Sequence, residues 1–194
     1  MPRGAAPGPK KSGRVVRIHI GEYYASRDSR IVYTLLGSCV AVCLFDPVRR
    51  VGGMNHILMP GRADLNKYDA SARYGINAME LLINRIMNLG GHRESLRAKV
   101  FGGARTLSTI PVENSMGPKN AAFALEFLAR ESIPVLGRDL GGNLSRRIYF
   151  HTDTGDAYLK RGKPIQLTAI PIEEQRVRKR VVREVEDAGD VTLF

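Results

Sequence analysis

The sequence contains no tryptophan, only two cysteines, and no apolar run near the roughly 18 residues that a membrane-spanning helix needs. The cysteines, Cys39 and Cys43, stand four residues apart, which suits neither an easy disulfide nor a Cys-x-x-Cys metal or redox site. The basic N-terminal segment has no apolar core of a signal peptide. These absences argue against a disulfide scaffold, a structural metal site and membrane insertion, and they predict a cytoplasmic protein.

Acidic residues are in the minority, and the charge balance bears on the choice of partner. The chain has 30 Lys and Arg against 19 Asp and Glu, a net charge of +11. No nucleic-acid motif and no basic stripe interleaved with aromatic residues accompanies this excess. A basic surface also attracts acidic proteins. We therefore expect no nucleic acid among the partners and favour an acidic protein.

The chain is long enough for one domain, and its pattern divides it into three parts. With 194 residues, of which 43% are hydrophobic, it can bury a substantial core. Residues 1–14 form a basic Pro/Gly-rich tail that we expect to be disordered, residues 15–172 a single domain, and residues 173–194 a charged extension that begins as a helix. Strands are predicted at residues 14–21, 31–36, 39–45, 51–59, 96–101, 133–136, 147–151 and 157–160, and helices at 70–89 and 118–131. This pattern predicts an α/β domain whose sheets contain antiparallel hairpins.

A cysteine and a histidine on neighbouring predicted strands are the most chemically suggestive pair. If residues 46–49 close as a tight turn, Phe45 faces Arg50 and Cys39 lies directly opposite His56. A loop two residues longer would leave Cys39 and His56 diagonal on one face, and a shift of one residue would separate them. A thiol beside an imidazole is the working pair of a cysteine hydrolase.

The turn before Cys39 adds a second element of such a site. Gly37 and Ser38 are small, so a substrate carbonyl can approach the backbone, where N–H groups would stabilise an oxyanion. The alternative is a buried apolar Cys39 and a hydrogen-bonded core His56. Cys43 is predicted to be core. His19, His92 and His151 show no partner pattern and are expected to be structural or exposed, and Asn55 is expected either to touch substrate or to cap a backbone group.

An ordered series of motifs resembles the chemoreceptor glutamine deamidase family, CheD, from about residue 18 to residue 170. These motifs are Gly21-Glu22-Tyr23, Leu36-Gly37-Ser38-Cys39, Asp46-Pro47, Gly53-Met54-Asn55-His56, Met59-Pro60, Lys67-Tyr68, Arg73-Tyr74-Gly75, Phe101-Gly102-Gly103-Ala104, Gly117-Pro118-Lys119-Asn120 and Gly141-Gly142-Asn143 with Arg146.

The resemblance implies a protein-glutamine glutaminase that converts receptor glutamines to glutamates in bacterial chemotaxis. It implies a catalytic triad with Cys39 as the nucleophile, His56 as the base and a threonine as the third member. The implied reaction has a thioester intermediate and uses no cofactor or metal. Thr34 is our choice for the third member, although an ungapped comparison with some members places Tyr33 there. The implied fold is a layered sandwich of mixed, largely antiparallel sheets with flanking helices, similar to glutamine-deamidating toxins. Chemoreceptors are the implied substrate, and in many bacteria the phosphatase CheC is a partner.

Two other functions use the same residues or the same fold. A peptidase or small-molecule amidase would use Cys39 and His56 in the same roles. A non-catalytic chemotaxis adaptor would bind receptors or a signalling phosphatase and need neither side chain. The motifs alone separate neither alternative from a deamidase.

Overall fold

Two mixed β-sheets and two helices form the domain in the computed structural model, which describes residues 14–59, 61, 63–105 and 115–164. One sheet has four strands in the order β1-β3-β8-β9, and the other has five in the order β2-β5-β4-β6-β7. The strands are β1 (Arg14–Arg17), β2 (Tyr23–Ser26), β3 (Arg30–Leu36), β4 (Val40–Asp46), β5 (Val51–Asn55), β6 (Arg97–Gly102), β7 (Val135–Leu140), β8 (Leu144–His151) and β9 (Ala157–Pro164). Most neighbours run antiparallel; β1 with β3 and β6 with β7 are parallel.

The domain has three layers, with the five-stranded sheet in the middle. Helices α1 (Ala70–Asn88) and α2 (Met116–Arg130) both contact this sheet, and their apolar faces form one core with it. A second core lies between the two sheets and includes Val32, Cys39, Cys43 and Met54. The predicted layered sandwich of mixed, largely antiparallel sheets with helices is confirmed, with both helices on one side.

Local sequence accounts for helix α1. Its first turn is capped by Asp69, whose Oδ1 accepts the Ala72 N–H at 2.7 Å. Residues at three- and four-residue spacing, among them Met79, Ile83 and Ile86, are buried against the middle sheet. Gly90 then adopts φ +90°, a conformation that ends helices and favours glycine. No helix in the described part of the chain is long and apolar enough to cross a membrane.

Several element boundaries differ from the sequence prediction. The first strand stops at Arg17, and a separate strand, β2, runs from Tyr23 to Ser26, mostly where no strand was predicted. Strand β2 exists because it pairs with β5 along Gly52 and Gly53, where an added Cβ on Gly53 would lie 2.6 Å from Ala25 Cβ. Strand β7 extends four residues beyond the predicted end at 136.

The predicted tails fall almost wholly outside the described residues. Arg14, which we assigned to the disordered tail, is the first residue of β1 and pairs with Arg30. Residues 1–13 and 165–194, including the predicted C-terminal helix, are not described.

Candidate active site

The hairpin that carries Cys39 and His56 uses the longer of the two loops considered. Residues 47–50 form the loop, Phe45 pairs with Gly52, and the same register continues to a bridge between Val40 and Ile57. The prediction that Phe45 faces Arg50 and Cys39 faces His56 is therefore wrong. His56 lies opposite Ala41 instead, diagonal to Cys39 and on the same face of the sheet.

The side chain of Asp46 explains this loop. Its Oδ1 accepts the N–H groups of Val48 at 2.9 Å and Arg49 at 3.0 Å, and its Oδ2 accepts that of His92 at 2.8 Å. Arg50 completes the loop at φ +52°. Burial opposes ionisation of Asp46, but these three N–H groups hold its pKa below the ordinary value.

Cys39 lies where the chain passes from one sheet to the other. It follows β3 of the four-stranded sheet and immediately precedes β4 of the five-stranded sheet. Its exposed fraction is 1%, and it belongs to the core between the sheets. The nucleophile predicted from sequence is thus held in the interior, where water is scarce.

The three carbonyl groups around Cys39 all accept hydrogen bonds from distant parts of the chain. Gly37 O accepts from Ala104 N at 2.9 Å, and Cys39 O accepts from Gly103 N at 2.8 Å. Ser38 O accepts from the Asn120 side chain at 2.8 Å. Because every carbonyl of this segment is held, the backbone of the nucleophile turn, residues 37–39, has a defined orientation.

His56 is held by Thr34, which lies on the other sheet. Thr34 Oγ1 donates to the Ile18 carbonyl oxygen at 2.9 Å and lies 2.8 Å from His56 Nδ1. The hydroxyl has one proton, and a carbonyl can only accept, so the proton of this second bond belongs to Nδ1. In the neutral ring the lone pair is then on Nε2.

The charge state of His56 follows from its burial. Its exposed fraction is 4%. Burial lowers the pKa of His56 from 6.5 to about 3, with a smaller contribution from the charge of His19. Nε2 is buried and has no hydrogen-bond partner among the described residues. The ring is therefore a neutral imidazole at neutral pH, and its unprotonated Nε2 accepts no hydrogen bond from the described residues.

Thr34 and Tyr33, the two alternatives for the third member, occupy opposite faces of β3. Thr34 points between the sheets and is 1% exposed. Tyr33 is partly exposed and stacks on Tyr149, with ring centroids 5.0 Å apart. Thr34, Cys39 and His56 are therefore gathered in one interior region, and Tyr33 is not part of it.

The contacts and burial of the other residues considered from the sequence are those of structural residues. Burial raises the pKa of the Cys43 thiol, which stays protonated at neutral pH. Asn55 caps backbone groups: its Oδ1 accepts from Val42 N at 3.0 Å and its Nδ2 donates to Ala78 O at 3.2 Å. His19 is exposed beside Glu22, the His92 backbone binds Asp46, and the His151 ring packs edge-on against Tyr158.

Sequence reasoning missed Asn120 as a site residue. It lies on α2, is 1% exposed, and connects Ser38 O to Met59 N, which donates to its Oδ1 at 3.0 Å. The available signal was a polar residue beside Ala121 on the apolar face of a predicted helix. A buried amide in such a position must find partners for both of its ends.

Comparisons with known proteins give one consistent family. The family model of CheD chemotactic sensory transduction matches residues 58–161. A probable chemoreceptor glutamine deamidase CheD 1 of Shewanella oneidensis is 45% identical over 181 residues, covering 92% of this chain and 87% of the relative. A CheD 2 of Chromobacterium violaceum with the same description is 44% identical, covering 92% and 89%. The Rhizobium leguminosarum relative is 47% identical over 149 residues, covering 75% and 79%.

Among solved structures, the Bacillus licheniformis hypothetical protein YfiH aligns with a TM-score of 0.37 and 13% identity, covering 68% of this chain and 61% of that chain.

Proposed function

The chain belongs to the CheD family, and we propose that it is a chemoreceptor glutamine deamidase, a hydrolase that converts receptor glutamines to glutamates and releases ammonia. Relatives that cover 92% of the chain are described as probable enzymes of this kind. The observation that carries the proposal is the bond between Thr34 and His56, which leaves the Nε2 lone pair in the interior region that contains Cys39. A nucleophile, a base and a group that orients the base are the parts of a thiol hydrolase.

In the first half of the proposed reaction, His56 Nε2 takes the proton of the Cys39 thiol. The resulting thiolate attacks the carboxamide carbon of the glutamine, and the carbonyl oxygen becomes an oxyanion. The imidazolium then gives its proton to the nitrogen, which leaves as ammonia and leaves a thioester between Cys39 and the substrate. Thr34 keeps Nδ1 as the donor throughout, so Nε2 can both accept and return the proton.

In the second half, His56 Nε2 activates a water molecule. The hydroxide attacks the thioester carbon, the carbon–sulfur bond breaks, and the sulfur recovers its proton from the imidazolium. The products are a glutamic acid side chain, which loses its proton to the solvent and becomes glutamate, and the regenerated Cys39 thiol. The receptor gains one negative charge per site, which alters the electrostatics of a signalling element.

Burial of the site favours a slender substrate group. Cys39 and Thr34 are each 1% exposed, so the reacting group must extend inward from the surface of the partner. A glutamine side chain is an aliphatic stem with a terminal amide and suits this requirement. The net charge of +11 favours approach by an acidic receptor segment. Binding of a CheC-type phosphatase and a cytoplasmic location stay predictions.

The decisive experiment compares two cysteine variants on receptor fragments. Cys39→Ala removes the proposed nucleophile, and Cys43→Ala is its matched control because Cys43 is also buried, on the adjoining strand β4. Fragments are incubated with each protein, and mass spectrometry detects exchange of an amide for a carboxylate. We expect modification with wild type and Cys43→Ala and none with Cys39→Ala.

Other outcomes would identify the alternatives. Shorter receptor fragments would indicate a peptidase. Fragments that bind the wild-type protein but are never modified would indicate an adaptor.

A further inference from the structure

We infer that Asn120 is a positioning residue that orients the oxyanion-binding backbone of the nucleophile turn, an inference that rests on the proposed thiol chemistry at Cys39. Asn120 is on α2, 82 residues from Ser38 in sequence, yet its Nδ2 donates to Ser38 O at 2.8 Å. Its Oδ1 accepts from Met59 N at 3.0 Å. One side chain thus connects the turn of the nucleophile to the segment that follows the base.

The bond to Ser38 O fixes the direction of the Cys39 N–H. In a trans peptide the C=O bond and the following N–H bond lie in the same plane and point in opposite directions. The Ser38 carbonyl points at Asn120, so the Cys39 N–H points away from α2. Donation to a carbonyl also polarises its peptide unit and makes the N–H a better donor.

The neighbouring peptide is held in the same way. Ala104 N donates to Gly37 O at 2.9 Å, which orients the Ser38 N–H. Of the two bonds that set these planes, one is made by backbone, and the bond from Asn120 is made by a side chain. Asn120 is therefore the member of this arrangement that a substitution can remove.

Close backbone packing holds Asn120 at this distance. Gly117, three residues earlier on α2, lies against the loop after β6, where an added Cβ would be 2.3 Å from Ala104 O and 2.5 Å from Gly103 O. The loop that holds the turn and the helix that carries Asn120 therefore pack directly on each other. The amide is required because one end must donate and the other must accept at the same time.

This role predicts a specific defect. Donors aimed at an oxyanion stabilise a tetrahedral intermediate, but they contribute little to a displacement at a saturated carbon. Loss of Asn120 should slow acylation of Cys39, which forms an oxyanion, and should spare alkylation of Cys39, which forms none. A residue that only supports the fold would affect both reactions together.

The test uses the full chain carrying Cys43→Ala, so that Cys39 is its single thiol. p-Nitrophenyl acetate transfers its acetyl group to the sulfur and releases p-nitrophenol, and iodoacetamide alkylates the same sulfur with loss of iodide. Both rates are followed by intact mass. Asn120→Leu, of similar size but without hydrogen-bonding atoms, should slow acetylation about 10- to 100-fold and change alkylation less than about threefold.

Two further variants keep the test decisive. Asn120→Ala should give the same ratio of rates if the leucine variant does not fold. Thr152→Val is the matched control. Thr152 directly follows β8 and is buried beside Arg30, at the end of β3 farther from the nucleophile turn. Its hydroxyl donates to Asp28 O at 2.7 Å and accepts from Arg30 N at 3.1 Å. It should lower thermal stability and leave both rates unchanged.

Equal slowing of acetylation and alkylation, or no slowing of either, would overturn the role of Asn120. Neither reagent involves a receptor, so failure of the deamidase proposal would appear separately, as unmodified receptor fragments.

Discussion

Removing the Thr34 hydroxyl while keeping its shape tests how the base is held. Thr34→Val eliminates the acceptor of the His56 Nδ1–H and the donor to Ile18 O, both in the interior. The His56 Nδ1–H then has no acceptor. The ring therefore loses its preference for the tautomer in which Nδ1 is protonated and Nε2 is not. A valine fits the same volume, and the packing between the sheets is kept.

The size of the effect follows from one buried hydrogen bond. A buried donor left without its partner costs about 1–3 kcal/mol. If this energy no longer favours the reactive tautomer, kcat should fall about 5- to 150-fold at the rate of tenfold per 1.4 kcal/mol. Thr34→Ser keeps the hydroxyl and should recover most of the rate. KM should change little, because Thr34 contacts His56 and Ile18 in the interior.

Ammonia release from receptor fragments measures kcat for the series. Tyr33→Phe is the companion variant, since Tyr33 faces away from His56 and stacks on Tyr149; it should retain the wild-type rate. Wild-type kcat in Thr34→Val, or a serine variant as slow as the valine one, would refute this account of the tautomer. A large loss in Tyr33→Phe would restore Tyr33 as the third member.

Two predictions concern stability. Because the pKa of His56 is lowered from 6.5 to about 3, its contribution to stability is complete above pH 6.5 and is lost as pH falls, since the unfolded chain binds a proton that the folded chain does not. Between pH 7.5 and 5 the free energy of unfolding should drop by about 2 kcal/mol more in wild type than in His56→Gln, measured by urea titration; parallel curves would contradict this. Gly102→Ala places a Cβ 2.2 Å from Cys39 O at φ +111° and should cost about 3 kcal/mol or more, whereas Gly141→Ala, at φ +75° with no atom within 4 Å, should cost about 1 kcal/mol. Similar losses in the two glycine variants would show that the contact with Cys39 O yields easily.

Local pattern predicted much of this fold. Helix α1 and strand β3 follow from periodicity, because each buries a face that its own spacing defines. Strand β4 follows from a continuous apolar run, which is buried on both faces. Strand β2 has four residues and little pattern of its own, and its existence depends on pairing with the glycines of β5. Such a strand is set by its partner, which sequence spacing does not identify.

The candidate site was likewise predictable only in part from the sequence. The turn chemistry of Asp46 and Pro47 was recognisable, but the loop length depends on the carboxylate binding two N–H groups and on Arg50 at φ +52°. Thr34 and Tyr33 are adjacent on β3 and therefore point to opposite faces, but their spacing does not show which face meets His56. That choice is made by the packing of one sheet on the other.

The distant motifs illustrate the limit most clearly. The glycines at 102–103, the segment around Asn120 and the glycines at 141–142 were recognisable in order along the chain. In space they meet: Gly103 N binds Cys39 O, Asn120 binds Ser38 O, and Gly141 N binds Gly102 O at 2.9 Å. Their common purpose becomes visible only when tertiary hydrogen bonds are known.

The way in which the nucleophile turn is held has a consequence for how the protein acquires activity. Cys39 lies in the connection between the two sheets, and its carbonyl and those of Gly37 and Ser38 bind partners more than 60 residues later in the chain. Contacts of such long sequence separation form late in folding, after the loops between them have closed. A chain that has formed either sheet alone, or that has not yet docked α2, contains Cys39, the proposed nucleophile, without the geometry that the proposed reaction requires. If the chain is a deamidase, turnover is therefore a stricter measure of completed folding than secondary structure, and a half-folded chain should be inert toward glutamine side chains.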